Sequence, residues 1–434
     1  MKYRPAHGKV RRFDPLGGSY IQRVPPANSI NPFRVFLRHR NFRLFLTGQT
    51  LSLIGTWMQS MAVGWLALEL TNSAFMVGLV AAASSIPILV FTMPAGVMVD
   101  RSDKLRLVRL AQFAFLAVAT LLWWLTYTHR MTIEALLGLA FVSGLIAAVE
   151  IPARQSMFID LVGREDLPDA IALNSSGFNL ARVVGPGLAA AVIARLGIAW
   201  CFFLNAASFV LVLIGLFLIQ LPKWESIEVD ESPWEGVRVA LSYMRHTPTV
   251  RALMGMVAVY SILGVPVLAM MPVVAREMFG MDASGYGLLM SCIGIGGLVA
   301  ALGLAALGNR MSRTRLLVVA SMLWPLLLLA FAFTRTAWIA YVLLLGVGFT
   351  MILNGAIANG LLQGIVPDGL RGRMMAAYGL VVVGLAQVVG ALVAGTVAHA
   401  IGVAASIGWA AALQLSYGLW AFFRRAELRT MHDS

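Results

Sequence analysis

Of the 20 Asp and Glu residues in the chain, only Glu150 falls well inside a long apolar run, and of the 33 Lys and Arg only Arg182 falls near the middle of one. An ionisable side chain in hydrocarbon costs at least about 2.5 kcal/mol, so such a group faces a partner or a watery cavity. The chemistry open to these two residues is protonation and charge pairing, not bond breaking. Three arrangements are compatible with their spacing. They could form a fixed ion pair that orients two neighbouring helices, or a switchable pair in which Glu150 takes up a proton or Arg182 meets an anionic substrate. They could also make separate contacts with polar backbone or water. At a rise of about 1.5 Å per residue the two groups come within about 10 Å of each other along the bilayer normal. Arg154, one helical turn after Glu150, is placed for an ion pair with Glu150 or with Asp100.

Other chemistries find no support. The chain holds no HExxH pair, no P-loop and no nucleophile elbow, so neither an enzyme, a metal site nor a cofactor is expected. Gly285, Gly287, Gly294, Gly296, Gly297 and Gly303 include a string shaped like a dinucleotide fingerprint. It lies inside a continuous apolar run, whereas a nucleotide site needs a strand before it, so close helix packing is the expected role. Cys201 and Cys292 sit in different runs and imply packing, not a disulfide.

The elements that position Glu150 and Arg182 follow from composition. With 59% apolar and 12% charged residues and a mean hydropathy of +0.81, a 434-residue chain has too little polar surface to cover a soluble globule. A helix needs about 20 apolar residues to cross the hydrocarbon core. Twelve such runs centre near Gly55, Ile86, Ala117, Leu145, Val183, Val210, Leu263, Gly296, Leu323, Val347, Val388 and Ala412. Sorted by this layout, 28 of the 33 cations fall in alternate loops and the two tails; the other side holds only Arg130, Arg195, Arg276 and Arg335. Cations near span ends stay on the cytoplasmic side, so both termini are expected to be cytoplasmic and the protein to lie in the inner (plasma) membrane. Trp65, Trp123, Trp124, Tyr127, Trp200 and Trp338 fall at the outer ends, where amphipathic rings collect. The net charge of +13 is accounted for by contact with anionic lipid head groups, without nucleic acid.

Residues 1 to 41 read as a basic arm on the inner leaflet, ending in a short interfacial helix over Asn31–Arg38. Residues 42 to 220 and 250 to 423 form two six-span halves, and 424 to 434 a cytoplasmic tail. The linker, 221 to 249, opens with an acidic run. In its Ser232-Pro233-Trp234-Glu235 the Ser suits an N-cap, the Pro the first helical position and the Glu a capping box. An amphipathic helix to about Arg245 is expected to follow.

Internal repetition supports the two halves. Gly96-Val97-Met98-Val99-Asp100-Arg101 with Lys104 and Arg106 returns 209 residues later as Ala305 through Asn309-Arg310, and Ala181-Arg182-Val183-Val184-Gly185 returns 205 residues later as Ala386-Gln387-Val388-Val389-Gly390. Similar offsets in two places describe parallel six-span repeats, which in transporters enclose a midplane site.

On these residues the chain resembles the major facilitator superfamily. Gly96, Asp100, Arg101, Lys104 and Arg106 match the family's loop signature between spans two and three, with Asn309 and Arg310 in the second copy. Gly185-Pro186 in span five resembles the motif of exporting members. The stretch from Glu150-Ile151-Pro152-Ala153-Arg154 through Asn179-Leu180-Ala181-Arg182 looks like the transmembrane secretion effector branch, which includes enterobactin-type siderophore exporters and some macrolide exporters.

The resemblance implies an all-α membrane protein of twelve transmembrane helices in two pseudo-symmetric six-helix bundles. It implies that Asp100 and Arg101 clamp the cytoplasmic ends of the halves while the cavity faces outward. By the same analogy spans one, four, seven and ten line the path, which offers Trp57, Met58, Gln59, Met61, Tyr260, Met270, Met271, Met351, Asn354 and Asn359 as cavity residues. The expected function is export of an amphipathic small molecule, a siderophore or drug-like compound, by proton antiport. The expected partners are that substrate, protons and membrane lipids, and the chain is expected to act as a monomer. Uptake or lipid flipping on the same scaffold is the alternative, and from another class a non-transporting sensor or scaffold.

Overall fold

The computed structural model describes residues 33–221, 233–307 and 312–424. Every element among them is helical. A short helix, Phe33–Arg38, precedes span one, Arg40–Thr71. Spans two to six follow as Ala74–Asp100, Lys104–Tyr127, Ile133–Val162, Leu167–Leu196 and Ala199–Leu218. A linking helix, Pro233–His246, leads to span seven, Pro248–Met278. Spans eight to ten are Ala283–Leu307, Arg313–Phe333 and Ala337–Ile365. Span eleven runs through Asp368–Gly379, Leu380–Gly390 and Ala391–Ile401, and span twelve is Val403–Arg424. Eleven of these are long and apolar enough to cross a bilayer. The twelfth has 22 residues, with its hydropathy diluted by Gln414, Ser416 and Tyr417. The chain is a multi-pass membrane protein. Ser232 and the acidic part of the linker, Asn309 and Arg310, and most of both tails lie outside the described residues.

The repeat extends to the helix caps. Ser73 accepts from the Met76 amide at the start of span two, and Asp282, 209 residues on, accepts from the Gly285 amide at the start of span eight. Asp103 and Ser312, again 209 apart, cap spans three and nine through the amides of Arg106 and Arg315. A side-chain oxygen at these positions satisfies an amide that has no partner inside the helix. Hydrogen bonds from the Ser284 hydroxyl and the Gly285 amide hold the exposed Asp282 carboxyl below its usual pKa. Gly197 and Gly402 end spans five and eleven at φ of +90° and +86°, where a side chain would be strained.

Backbone-to-backbone contact at glycine joins the helices. A Cβ on Gly78 of span two would stand 2.5 Å from the Ala391 carbonyl and 3.2 Å from Gly395 Cα in span eleven. On its counterpart 209 residues on, Gly287 of span eight, a Cβ would stand 2.9 Å from the Pro186 carbonyl and closer still to Ala190 Cβ in span five. Within the halves, Gly144 of span four abuts the Ser84 carbonyl of span two, and Gly348 of span ten abuts the Ile293 carbonyl of span eight. Gly55 of span one meets Asn205 of span six, and Gly264 of span seven meets Gln414 of span twelve. Small faces give lipid-embedded helices the close approach that lets dispersion hold them together.

Two second-half spans are irregular where the sequence reads as plain apolar helix. Span seven breaks after Gly264, because Pro266 has no amide to donate and its ring conflicts with the carbonyl four residues back. That carbonyl, on Ile262, and the Pro266 ring both press against Gly390. Span eleven is π-helical over Leu380–Gly390, the segment that repeats the span-five motif.

Gly348→Ala is expected to lower the apparent Tm by several degrees, because the new methyl is driven into a neighbouring backbone at about 1–3 kcal/mol. Gly303→Ala, with nothing within 4 Å of the added carbon, should leave Tm unchanged or raise it, by up to about 1 kcal/mol of helix propensity. A thermal-shift assay in detergent reads both signs.

Candidate functional site

Glu150 lies in span four, 5% exposed, and its Oε1 accepts a hydrogen bond from Arg154 Nε at 2.8 Å. Four residues apart on one helix, the two side chains stack along the same face. Arg182 does not join them. Its Nη2 is buried and has no hydrogen-bond partner. A Cβ on Gly297 of span eight would stand 2.7 Å from that nitrogen and 2.9 Å from Ile352 Cγ1 of span ten. The Glu150–Arg182 pairing considered from the sequence is therefore not formed; span five turns Arg182 toward the second half and away from span four.

A cavity of about 470 Å³ lies between spans five, eight and ten, lined by Asn179, Ala301, Leu304, Ile352, Gly355 and Ala356. These residues occupy the halves of their spans nearest the termini. Of the cavity candidates read from the sequence, several serve packing instead. Tyr260 is 1% exposed and donates to the Ser321 carbonyl of span nine. Asn354 donates to Ser321 Oγ at 2.7 Å, and Met271 is fully buried. Their polar atoms satisfy one another within the second bundle, which is why they do not face a hollow. Gln59 accepts from Asn205 Nδ2 at 2.8 Å, linking spans one and six. Trp57 is half-buried and meets Phe178 of span five edge-on, with ring centroids 5.7 Å apart. A Cβ on Gly185 would stand 2.6 Å from Trp57 Cβ and 3.0 Å from the Ile54 carbonyl, and Pro186 is buried beside it. Asn359 accepts from Gln363 Nε2 at 2.5 Å.

The two ends of the molecule differ. One apolar core, which in the second half continues to Val250 and Met374 at the termini end, joins both halves at the end away from the termini, through Met58, Met61, Trp65 and Val77 with Met270, Tyr286 and Leu289. There Trp65 stacks on Tyr286 at 6.0 Å, Arg276 Nη1 donates to the Leu68 carbonyl at 3.3 Å, and Trp65 donates to Glu69. At the termini end a second core, Val35 through Ile219, contains first-half residues only. Asp100 there is exposed and makes no ion pair among the described residues. Lys104 bonds Asp160 of its own half at 3.1 Å, while Arg106 is exposed and Gly96 has open space beside it. Asp166 holds Arg38 and His39 at 3.2 and 2.7 Å, pinning the start of span one to the start of span five. Among the described residues the core shared by the halves closes the end away from the termini, and the cavity lies toward the other end.

Sequence reasoning missed the cavity walls and the closing contacts. Ala301, Leu304, Ile352, Gly355 and Ala356 carry no chemical signal. Arg276 did carry one, as one of four cations on the sparsely charged side.

A family model described as transmembrane secretion effector matches residues 30–433. The Staphyloferrin A transporter of Staphylococcus aureus is 24% identical over 292 residues, covering 67% of this chain and 73% of that protein. The multidrug efflux pump Tap of Mycolicibacterium fortuitum is 26% identical over 363 residues, covering 81% and 88%. The enterobactin exporter EntS of Salmonella typhimurium is 26% identical over 349 residues, covering 77% and 80%. Among solved structures, an inward-facing, unoccupied bacterial homologue of the human lysosomal transporter Spinster aligns with a TM-score of 0.72 at 14% identity, covering 90% of this chain and 97% of that one. The nucleoside transporter NupG aligns at 0.66 and 13% identity, covering 93% and 100%. At these identities the two structures speak for the fold alone.

In a background lacking Cys201 and Cys292, Ala356→Cys is expected to react with a membrane-impermeant maleimide from the termini side, and Gly64→Cys, which faces Pro272 across the sealed end, to stay protected. Adding Arg276→Ala should raise labelling at position 64 several-fold, as the tie to Leu68 is lost. Mass spectrometry of the labelled protein reads each site.

Proposed function

Because the chain belongs to the transmembrane secretion effector family of the major facilitator superfamily, a family of transporters and not enzymes, we propose that it exports an amphipathic small molecule, a siderophore or drug-like compound, by proton-coupled alternating access. The observation that carries this reading is the unequal closure. A 470 Å³ hollow lies toward the termini side, while the two halves share a sealed core at the other end. With the termini in the cytoplasm, as the distribution of cations supports, this is the state that loads substrate from inside. The names of the siderophore and drug exporters among the relatives support the substrate class and the direction.

Glu150 is the coupling group in this reading. Protonation removes the charge that holds Arg154, and a buried cation left without its partner is unfavourable by about 3–5 kcal/mol. Asp100 is an unpaired carboxylate at the same end of the same half, available to Arg154 or to a closing loop. Proton binding thus biases the halves between their two arrangements, and a bias of a few kcal/mol is enough to shift the resting population. Transport by a monomer is part of the proposal, since each chain contains both halves.

Reconstituted in proteoliposomes with an imposed pH gradient, the protein should move enterobactin from the termini side only; movement in the opposite direction would favour uptake, and labelled phospholipid as the moving species would favour flipping. Glu150→Gln should insert normally and lose proton-driven export to background. Undiminished proton-driven export in that variant would remove Glu150 from the coupling role, and a blocked cavity with function intact would mark a sensor.

A further inference from the structure

Glu150 and Arg154 hold each other inside the first bundle, and Arg182 is held by neither. Its guanidinium starts in the first half, reaches span eight of the second, and ends with a buried nitrogen that has no hydrogen-bond partner among the described residues. Glu150, the one acid at comparable depth, is already engaged by Arg154. The space that receives the guanidinium is made by Gly297, and Ile352, which borders the same space, is also a wall of the cavity. Asn179, another wall, precedes Arg182 by three residues on the same helical face.

The internal repeat supplies an independent control. The position related to Arg182 by the 205-residue offset is Gln387, and the position related to Gly297 by the 209-residue offset is Ile88. At the two related positions of the other seam the sequence has a neutral amide and a full-sized side chain. The charge and the room for it occur once, beside the cavity. An unpaired cation in a low-dielectric site is costly, and it is stabilised when an anion enters, through charge-assisted hydrogen bonds from the guanidinium fork.

We propose that Arg182, seated against Gly297, is the anion-binding pole of the cavity, so that the transported molecule carries a carboxylate or comparable anionic oxygen group on an apolar body. The proposal rests on the transport reading for its physiological meaning, but the binding site can be tested without transport. Because Arg182 Nη2 reaches span eight without donating to any of its groups, Arg182 is assigned to substrate and not to helix packing.

The test uses the full chain in phosphatidylcholine nanodiscs, with 1-naphthoate and 1-naphthamide as probes matched in shape and different in charge, and calorimetry as the readout. The carboxylate should bind at least tenfold more tightly than the amide. Arg182→Gln, which installs the residue of the symmetric position, should abolish the preference while keeping a monodisperse protein of similar Tm; Arg182→Lys should retain part of it, and Gly297→Val should block the carboxylate. Equal affinity for the two probes, no binding of the carboxylate, or a preference that survives Arg182→Gln would overturn the proposal. Loss of naphthoate binding on adding phosphatidylglycerol would assign the site to a lipid head group and overturn the substrate reading. Selective binding by a protein that moves nothing in proteoliposomes would leave the site standing and overturn the transport reading instead.

Discussion

The structure depends on helix backbones touching at glycine. In a bilayer the surrounding lipid is as apolar as any leucine, so burial gives helices little reason to associate; they are held by close contact. Gly78 against Ala391 and Gly287 against Pro186 place this contact between the halves, and Gly144 against Ser84 and Gly348 against Ile293 place it within them. Main chain at these points has no rotamers to rearrange, which suits the alternating closure proposed above.

Upon this symmetric frame the ionisable groups are distributed unequally. The 204-residue offset that relates Gly144 to Gly348 also relates Glu150 to Asn354 and Arg154 to Ala358. The first bundle holds a buried ion pair where the second holds an amide bonded to Ser321. Arg182 and Gln387 repeat the contrast in spans five and eleven. The second bundle shows a different specialisation: the break at Pro266 in span seven and the π-helical stretch of span eleven press on each other at Gly390. Irregular helix of this kind collects at functional sites. One bundle carries the charge, the other the backbone irregularity.

How much of this was legible in the sequence follows from the physics of each feature. The spans and the repeat were readable because a bilayer imposes length and apolarity on every crossing segment. Glu150 and Arg182 stood out because charge in such a segment is costly. Their partners were not readable, since pairing depends on how each helix is rotated about its axis, and Arg182 is aimed by an absence, the missing side chain of Gly297. Tyr260 and Asn354 misled for a related reason: in a bundle interior a polar side chain serves internal hydrogen bonding as readily as a ligand. The break in span seven did carry its signal in Gly264-Val265-Pro266, which the hydropathy of the whole run obscured.

The tie between Arg276 and span one has a lasting consequence because its acceptor is the main-chain carbonyl of Leu68. No change of side chain at position 68 removes that oxygen, so of the two partners only position 276 can delete the bond by substitution. In the transport cycle proposed above, a substitution at 276 changes how long the far end stays shut and leaves the walls of the hollow as they are.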